Sequence, residues 1–186
     1  MCVNGPKSVA ISLNLPFGLG GLTGTWEPDE SERTAAWQMY VELVTRIAVV
    51  DLGPGEGLLR EALESLYSLF ATTRSILKDN GPTVAKAKGD GDYSFGYLAV
   101  MILNTVLRPT LAKWHPLLLD YEARRSPEVS QLAHEHAWSH NQELRAVLGT
   151  VRATLGEYAA LLAEVAGVPR LPILALAPRQ EPSATD

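Results

Sequence analysis

One long apolar stretch, from Tyr97 to His115, limits the folds open to this chain, because a helix over it needs a core on nearly every side. Asn104, Arg108 and His115 are polar exceptions that, at about 100° per residue, point the same way. A buried helix here therefore carries a polar seam, and buried polar groups need hydrogen-bonding partners. We expect these partners to come from another helix.

The composition is typical of one globular domain. The chain has 186 residues, 46% hydrophobic and 20% charged, which is enough to bury a sizeable core. Its net charge of −5 gives no general attraction for nucleic acid or an anionic membrane surface. The single Cys2, the absence of a signal-like start and the lack of a span of about 18 apolar residues predict a cytoplasmic protein that does not enter a membrane.

Hydrophobic periodicity predicts a mainly α fold with a short N-terminal β-hairpin. Alternating apolar residues favour the hairpin, and the helical periods are separated by short Gly- and Pro-containing breaks, which favour antiparallel neighbours. We predict a single domain, 1–186, built as an antiparallel four-helix bundle with long helices. Its parts are a hairpin arm at 8–26, a helical bundle at 31–167 with helices near 31–50, 58–80, 97–124 and 126–166, and an extended tail at 168–186.

Two histidines, His136 and His140, interrupt the apolar stripe of the fourth predicted helix at i, i+4 spacing. If the third and fourth helices form an antiparallel hairpin that turns near Arg125, the polar residues of the two helices meet at the same level. The sequence therefore predicts one buried polar cluster, containing Asn104, Arg108, His115, His136 and His140, with Glu135 and Glu143 beside it.

Pro109 and Pro116 fall inside the third predicted helix, where proline removes a hydrogen bond and bends the helix. The freed carbonyls need donors, which Arg108 or a protonated histidine can supply. In this interpretation the cluster fixes the register of the helices in a binding or regulatory protein that has no chemistry and no cofactor. The hairpin edge and the apolar tail would then contact a protein partner or a second copy of the chain.

A metal site is an alternative interpretation of the histidines. His136 and His140 can hold one ion from one helix face, and His115 or His134 can add a third nitrogen. The order HExxH of the metalloproteases is absent, since Glu135 precedes His136 and the spacer is Ala-Trp-Ser.

A second alternative rests on the eight residues from Arg108 to His115, an arginine and a histidine separated by six positions. This spacing resembles the R-x(4–6)-H motif of the HEPN family, compact helical bundles of which many cut RNA without a metal at a site paired across a homodimer. The resemblance implies that Arg108 stabilises phosphate charge and that His115 serves in acid–base or 2′-hydroxyl chemistry. Pro109 departs from the family pattern, which often has a polar residue after the arginine. RNA is a partner only under this alternative, and the sequence leaves open whether the protein is an enzyme.

Overall fold

The computed structural model describes residues 5–46, 56–89 and 93–171. The described fold is mainly helical with a two-stranded antiparallel hairpin, as predicted. In chain order the elements are β1 (Val9–Asn14), β2 (Gly21–Trp26), α1 (Glu30–Val44), α2 (Leu59–Asn80), a 3-10 turn (Pro82–Ala85), α3 (Phe95–Ile102), a π turn (Leu103–Leu107), α4 (Arg108–Glu122), α5 (Gln131–His136) and α6 (Asn141–Ala166).

The hairpin lies against α6. Along β1, buried Val9, Ile11 and Leu13 alternate with exposed residues, so one face of the ribbon enters the core. Asn14 fixes the end of β1 on the helix, because its backbone N–H and side-chain amide donate to the Glu157 carboxylate at 2.7 and 2.9 Å. The helix supplies the second layer that a lone ribbon lacks.

A buried carboxylate, Glu32, connects three parts of the fold. It completes a capping box with Asp29 at the start of α1, and its side chain is fully buried. It also accepts hydrogen bonds from Trp26 Nε1 at 3.1 Å and from the backbone N–H of Phe95 at 3.0 Å, and it pairs with Lys88. The hairpin, α1 and the start of α3 therefore share one hydrogen-bonded centre, which the sequence reasoning did not single out.

The predicted disturbance before Pro109 takes the form of a π turn. The backbone N–H of Arg108 donates to Leu103 O, five residues back, directly before the proline that has no N–H to donate. The run stays helical from Phe95 to Glu122, and Pro116 lies inside α4.

This run from Phe95 to Glu122 is, within the described part of the chain, the one helix long and apolar enough to cross a membrane by length and composition. Its most apolar window is 56% buried inside the protein. The core helix of a soluble protein passes the same test, so the finding favours neither location.

Two predicted boundaries are wrong. The first helix ends at Val44, and predicted residues 47–50 lie outside the described residues. The fourth predicted helix, 126–166, is not continuous: it is divided into α5 and α6 by a turn at 137–140, in which Asn141 N donates to Trp138 O at 2.9 Å. The predicted tail is described only as far as Leu171, whose N–H donates to the Tyr40 hydroxyl.

The helices pack around a core that includes the buried face of the hairpin. α1 lies against α6 and α2, and α2 lies against α4. The α2–α4 contact positions the candidate site, because Arg108 and His115 belong to α4.

Candidate functional site

A groove of about 480 Å³ lies between α2 and α4. It is formed by α2 residues with aromatic, small and basic side chains and by α4 residues that include the predicted pair Arg108 and His115. Among the residues that the structure describes, no carboxylate side chain lines it. The lining residues are Tyr67, Ser68, Phe70, Ala71, Arg74, Arg108, Leu111, Ala112 and His115.

Arg108 is exposed at this groove. Its Nε donates to Asn104 Oδ1 at 3.0 Å, and its Cζ lies 5.4 Å from the centre of the Phe70 ring. Arg74, on the facing helix, is also exposed. Within residues 5–46, 56–89 and 93–171, no carboxylate pairs with either guanidinium. Two arginine charges therefore remain uncompensated at one groove.

His115 is half-buried and is held by a neighbouring ion pair. Its Nε2 lies 3.2 Å from Arg60 Nη1, and because a guanidinium only donates, Nε2 accepts and the neutral ring carries its proton on Nδ1. Arg60 in turn binds Glu122 through Nη2 at 2.6 Å and through Nε at 3.0 and 3.1 Å. At His115, the groove is therefore bordered by three side chains that contact one another in sequence: His115, Arg60 and Glu122.

Glu135 is nearly fully buried, at 2% exposure, and caps α2 from α5. Leu58, the residue before α2, supplies no side-chain cap, and Glu135 Oε1 accepts from Leu59 N–H at 2.8 Å instead. The other oxygen, Oε2, is buried without a hydrogen-bond partner. Burial raises the pKa of Glu135, although hydrogen bonds from the backbone of Leu59 and Arg60 oppose the shift.

The contact of α4 with α5 and with the turn that follows α5 is aromatic. Trp114 meets Trp138 edge to face at 6.1 Å, and Tyr121 stacks on His134 at 4.1 Å between ring centres. The Tyr121 hydroxyl also donates to the backbone oxygen of His134 at 2.9 Å. The predicted antiparallel turn near Arg125 is therefore present, but aromatic rings meet across it.

The prediction of one buried cluster is wrong. Asn104, Arg108, His136 and His140 are exposed. Asn104 and Arg108 do bind each other, whereas His115 binds Arg60 and His140 Nδ1 lies 3.0 Å from Glu143.

The reason is that α4 turns its largest apolar side chains inward. Trp114 and Leu118 are buried, and with Leu111 they define its core face. Arg108 and His115 flank this face on the side of α2, since burying a charged guanidinium would cost more than burying an indole.

The metal alternative is not supported by the geometry. In the part of the chain that the structure describes, no group of three or more His, Cys, Asp or Glu side chains could hold a metal ion. His115 lies at the α2 groove and His140 lies against Trp114 and Trp138, so the three predicted nitrogen ligands are not brought together.

Sequence reasoning missed the half of the groove that α2 provides. Arg60, Tyr67 and Arg74 recur at intervals of seven residues, which places them on one face of a helix. The seven-residue spacing is visible in the sequence, but the apolar positions of α2 dominate its pattern. Phe70 packs against the core and is partly buried under Arg108.

Comparison of the chain with protein-family models, curated proteins and solved structures found no match.

Proposed function

We propose that this protein is a binding or regulatory module without chemistry of its own, and that the α2–α4 groove holds an anionic ligand. In this proposal α1, α2, the α3–α4 run and α6 act as an antiparallel four-helix scaffold that keeps the two groove walls at a fixed distance. The observation that carries the proposal is the pair Arg74 and Arg108, which face the groove with no carboxylate partner in the described chain.

The charge balance of the chain strengthens this argument. A protein with 21 acidic and 16 basic residues has enough carboxylates to pair with every arginine, yet none from the described part of the chain lines this groove. A guanidinium offers planar paired donors that suit carboxylate and phosphate oxygens. Both arginines are exposed, so an anion can reach them without first breaking an internal ion pair.

The test is a titration with inorganic pyrophosphate, in which binding is measured by the NMR chemical-shift changes of backbone amides and of arginine Nε–H groups. We expect saturable shifts around the groove and binding weakened about tenfold in Arg108→Ala and in Arg74→Ala, as for the loss of one charge-assisted contact. Arg124→Ala is the matched control, because it removes the same charge from the exposed Arg124–Asp120 pair. Equal binding in all four proteins, or no saturable binding, would contradict the proposal.

A second candidate is a HEPN-like, metal-independent ribonuclease that acts as a homodimer. One observation favours it: Arg108 and His115, two helical turns apart, line the same groove. The nuclease would need the hydrogen bond between His115 Nε2 and Arg60 to open, or would need to use Nδ1.

This candidate is tested by incubating single-stranded RNA with the wild type, Arg108→Ala and His115→Ala in the presence of EDTA. Cleavage by the wild type that both variants lose supports a nuclease. Background cleavage that is the same in all three proteins excludes it and leaves the binding module.

A further inference from the structure

Besides its two arginines, the groove carries an exposed aromatic ring. The Tyr67 side chain is 63% exposed, although a large aromatic side chain beside a helix contact is usually packed inward. Its ring centre lies 6.2 Å from that of Phe70 and 6.0 Å from that of His115, so the ring is held among other rings at the groove wall. This arrangement offers a flat apolar surface next to uncompensated positive charge.

Two alanines leave space in the groove between the helices. Ala71 and Ala112 stand on the two facing helices, and the groove exists where larger side chains would fill it. Arg108 already lies over the Phe70 ring, whereas the exposed Tyr67 ring can accept a stacking partner. The groove therefore combines a cationic part and an aromatic part within one space.

From this combination we infer that the groove binds a small phosphate monoester attached to a planar ring, with the phosphate on Arg74 and Arg108 and the ring on Tyr67. The inference rests on the proposed anion-binding function and names the class of ligand. The volume of about 480 Å³ is in the range that holds small ligands. The net charge of −5 disfavours a long polyanion, so a free small molecule fits better than a nucleic acid strand.

The experiment is calorimetric titration of the full chain with AMP, phenyl phosphate, adenosine and inorganic phosphate in one buffer. We expect AMP or phenyl phosphate to bind about tenfold more tightly than inorganic phosphate, because stacking on an aromatic side chain adds about that factor. Adenosine, which lacks the phosphate, should bind more weakly than AMP. The tighter of the two ring phosphates identifies the size of the ring.

Variants of the protein test separately how the ring and the phosphate of the ligand contribute to affinity. Tyr67→Ala should lower affinity for the ring phosphates about tenfold and leave inorganic phosphate unchanged, whereas Tyr67→Phe should bind as the wild type does. Tyr97→Ala is the control, since it removes another exposed tyrosine, 55% exposed, from α3. Ala112→Leu should weaken ring phosphates without any change of charge, because its side chain enters the groove.

The outcomes distinguish this inference from the proposed function. If inorganic phosphate binds as tightly as AMP and phenyl phosphate, and Tyr67→Ala has no effect, the ring part is wrong and anion binding stands. If adenosine binds as tightly as AMP, the phosphate part is wrong. Absence of binding by every phosphate, pyrophosphate included, overturns the inference and the proposed function together. Tighter binding of a single-stranded RNA than of AMP overturns the small-molecule assignment.

Discussion

Arg60 and Arg74 lie on the same face of α2, 14 residues apart, but their environments are opposite. Arg60 is buried, at 9% exposure, and its guanidinium is bound by Glu122 and by His115. Arg74 is exposed and has no carboxylate partner among the described residues. We call the Arg60 end of the α2–α4 contact the closed end, because its arginine is paired within the protein. The Arg74 end is the open end, because its arginine is exposed.

The difference shows how a structural arginine can be separated from a candidate binding arginine. At the Arg60 end, the charges are satisfied within the protein, and removal of one partner leaves the other unpaired and at least half-buried. At the Arg74 end, the charge is solvated, and its removal leaves nothing unpaired. Stability and ligand binding should therefore respond to different substitutions on one helix face.

The largest expected effect is on stability and comes from Arg60→Met. The methionine keeps the apolar stem but leaves the half-buried Glu122 without its cation, which should cost about 2–3 kcal/mol of unfolding free energy. Urea denaturation measures this loss. The double variant Arg60→Met/Glu122→Leu should recover part of it, because no carboxylate is then left unpaired. A loss below about 0.5 kcal/mol in the single variant would show that this end is no more structural than Arg74.

The next effect concerns the cap that holds the start of α2 beside Arg60. Glu135→Ala removes the acceptor for Leu59 N–H and should cost about 1–2 kcal/mol, as for other lost helix caps. Glu135→Gln is the matched variant, because its amide oxygen can still accept. Chemical denaturation of both variants should show a loss in Ala that is larger than in Gln. Equal losses would mean that the carboxylate charge, and not the cap, stabilises this end.

The sequence predicted the coarse fold because its signals were local. The alternation in β1 and the breaks around α2 specify a hairpin and long helices, and counting back from Arg125 correctly placed α4 beside α5. The orientation of α4 about its own axis is not set by local sequence. Whether Arg108 lies toward α2 or toward α5 depends on which neighbour packs against Trp114. Periodicity in a stretch that is apolar on nearly every side cannot decide that.

The candidate site was predicted in part for the same reason. Asn104, Arg108 and His115 were singled out because they interrupt an apolar run, and the first two do bind each other. Arg74 and Tyr67 interrupt nothing, since exposed polar residues are ordinary on a surface helix. Their relation to Arg108 arises only when α2 packs against α4.

A smaller effect on the closed end depends on pH. Because burial raises the pKa of Glu135 above the usual value of 4.5, the folded state favours the protonated form more than the unfolded state does. Stability from this group is therefore fully present below pH 4.5 and is lost as pH rises toward the raised pKa. The wild type should lose stability relative to Glu135→Gln across that interval and not at higher pH. A difference that stays constant from pH 4 to pH 8 would contradict the shift.

The smallest stability effect is expected at the open end, for Arg74→Ala. An exposed side chain that has no ion pair within the described part of the chain should change the unfolding free energy by less than about 0.5 kcal/mol, so the melting temperature should stay near that of the wild type. Pyrophosphate should nevertheless raise the melting temperature of the variant less than that of the wild type, because a ligand stabilises the folded state according to its affinity. The measurement is thermal unfolding with and without pyrophosphate, with Arg124→Ala as the charge-matched control. If Arg74→Ala alone destabilises the protein as much as Arg60→Met does, the open end is structural too, and the contrast between the two arginines fails.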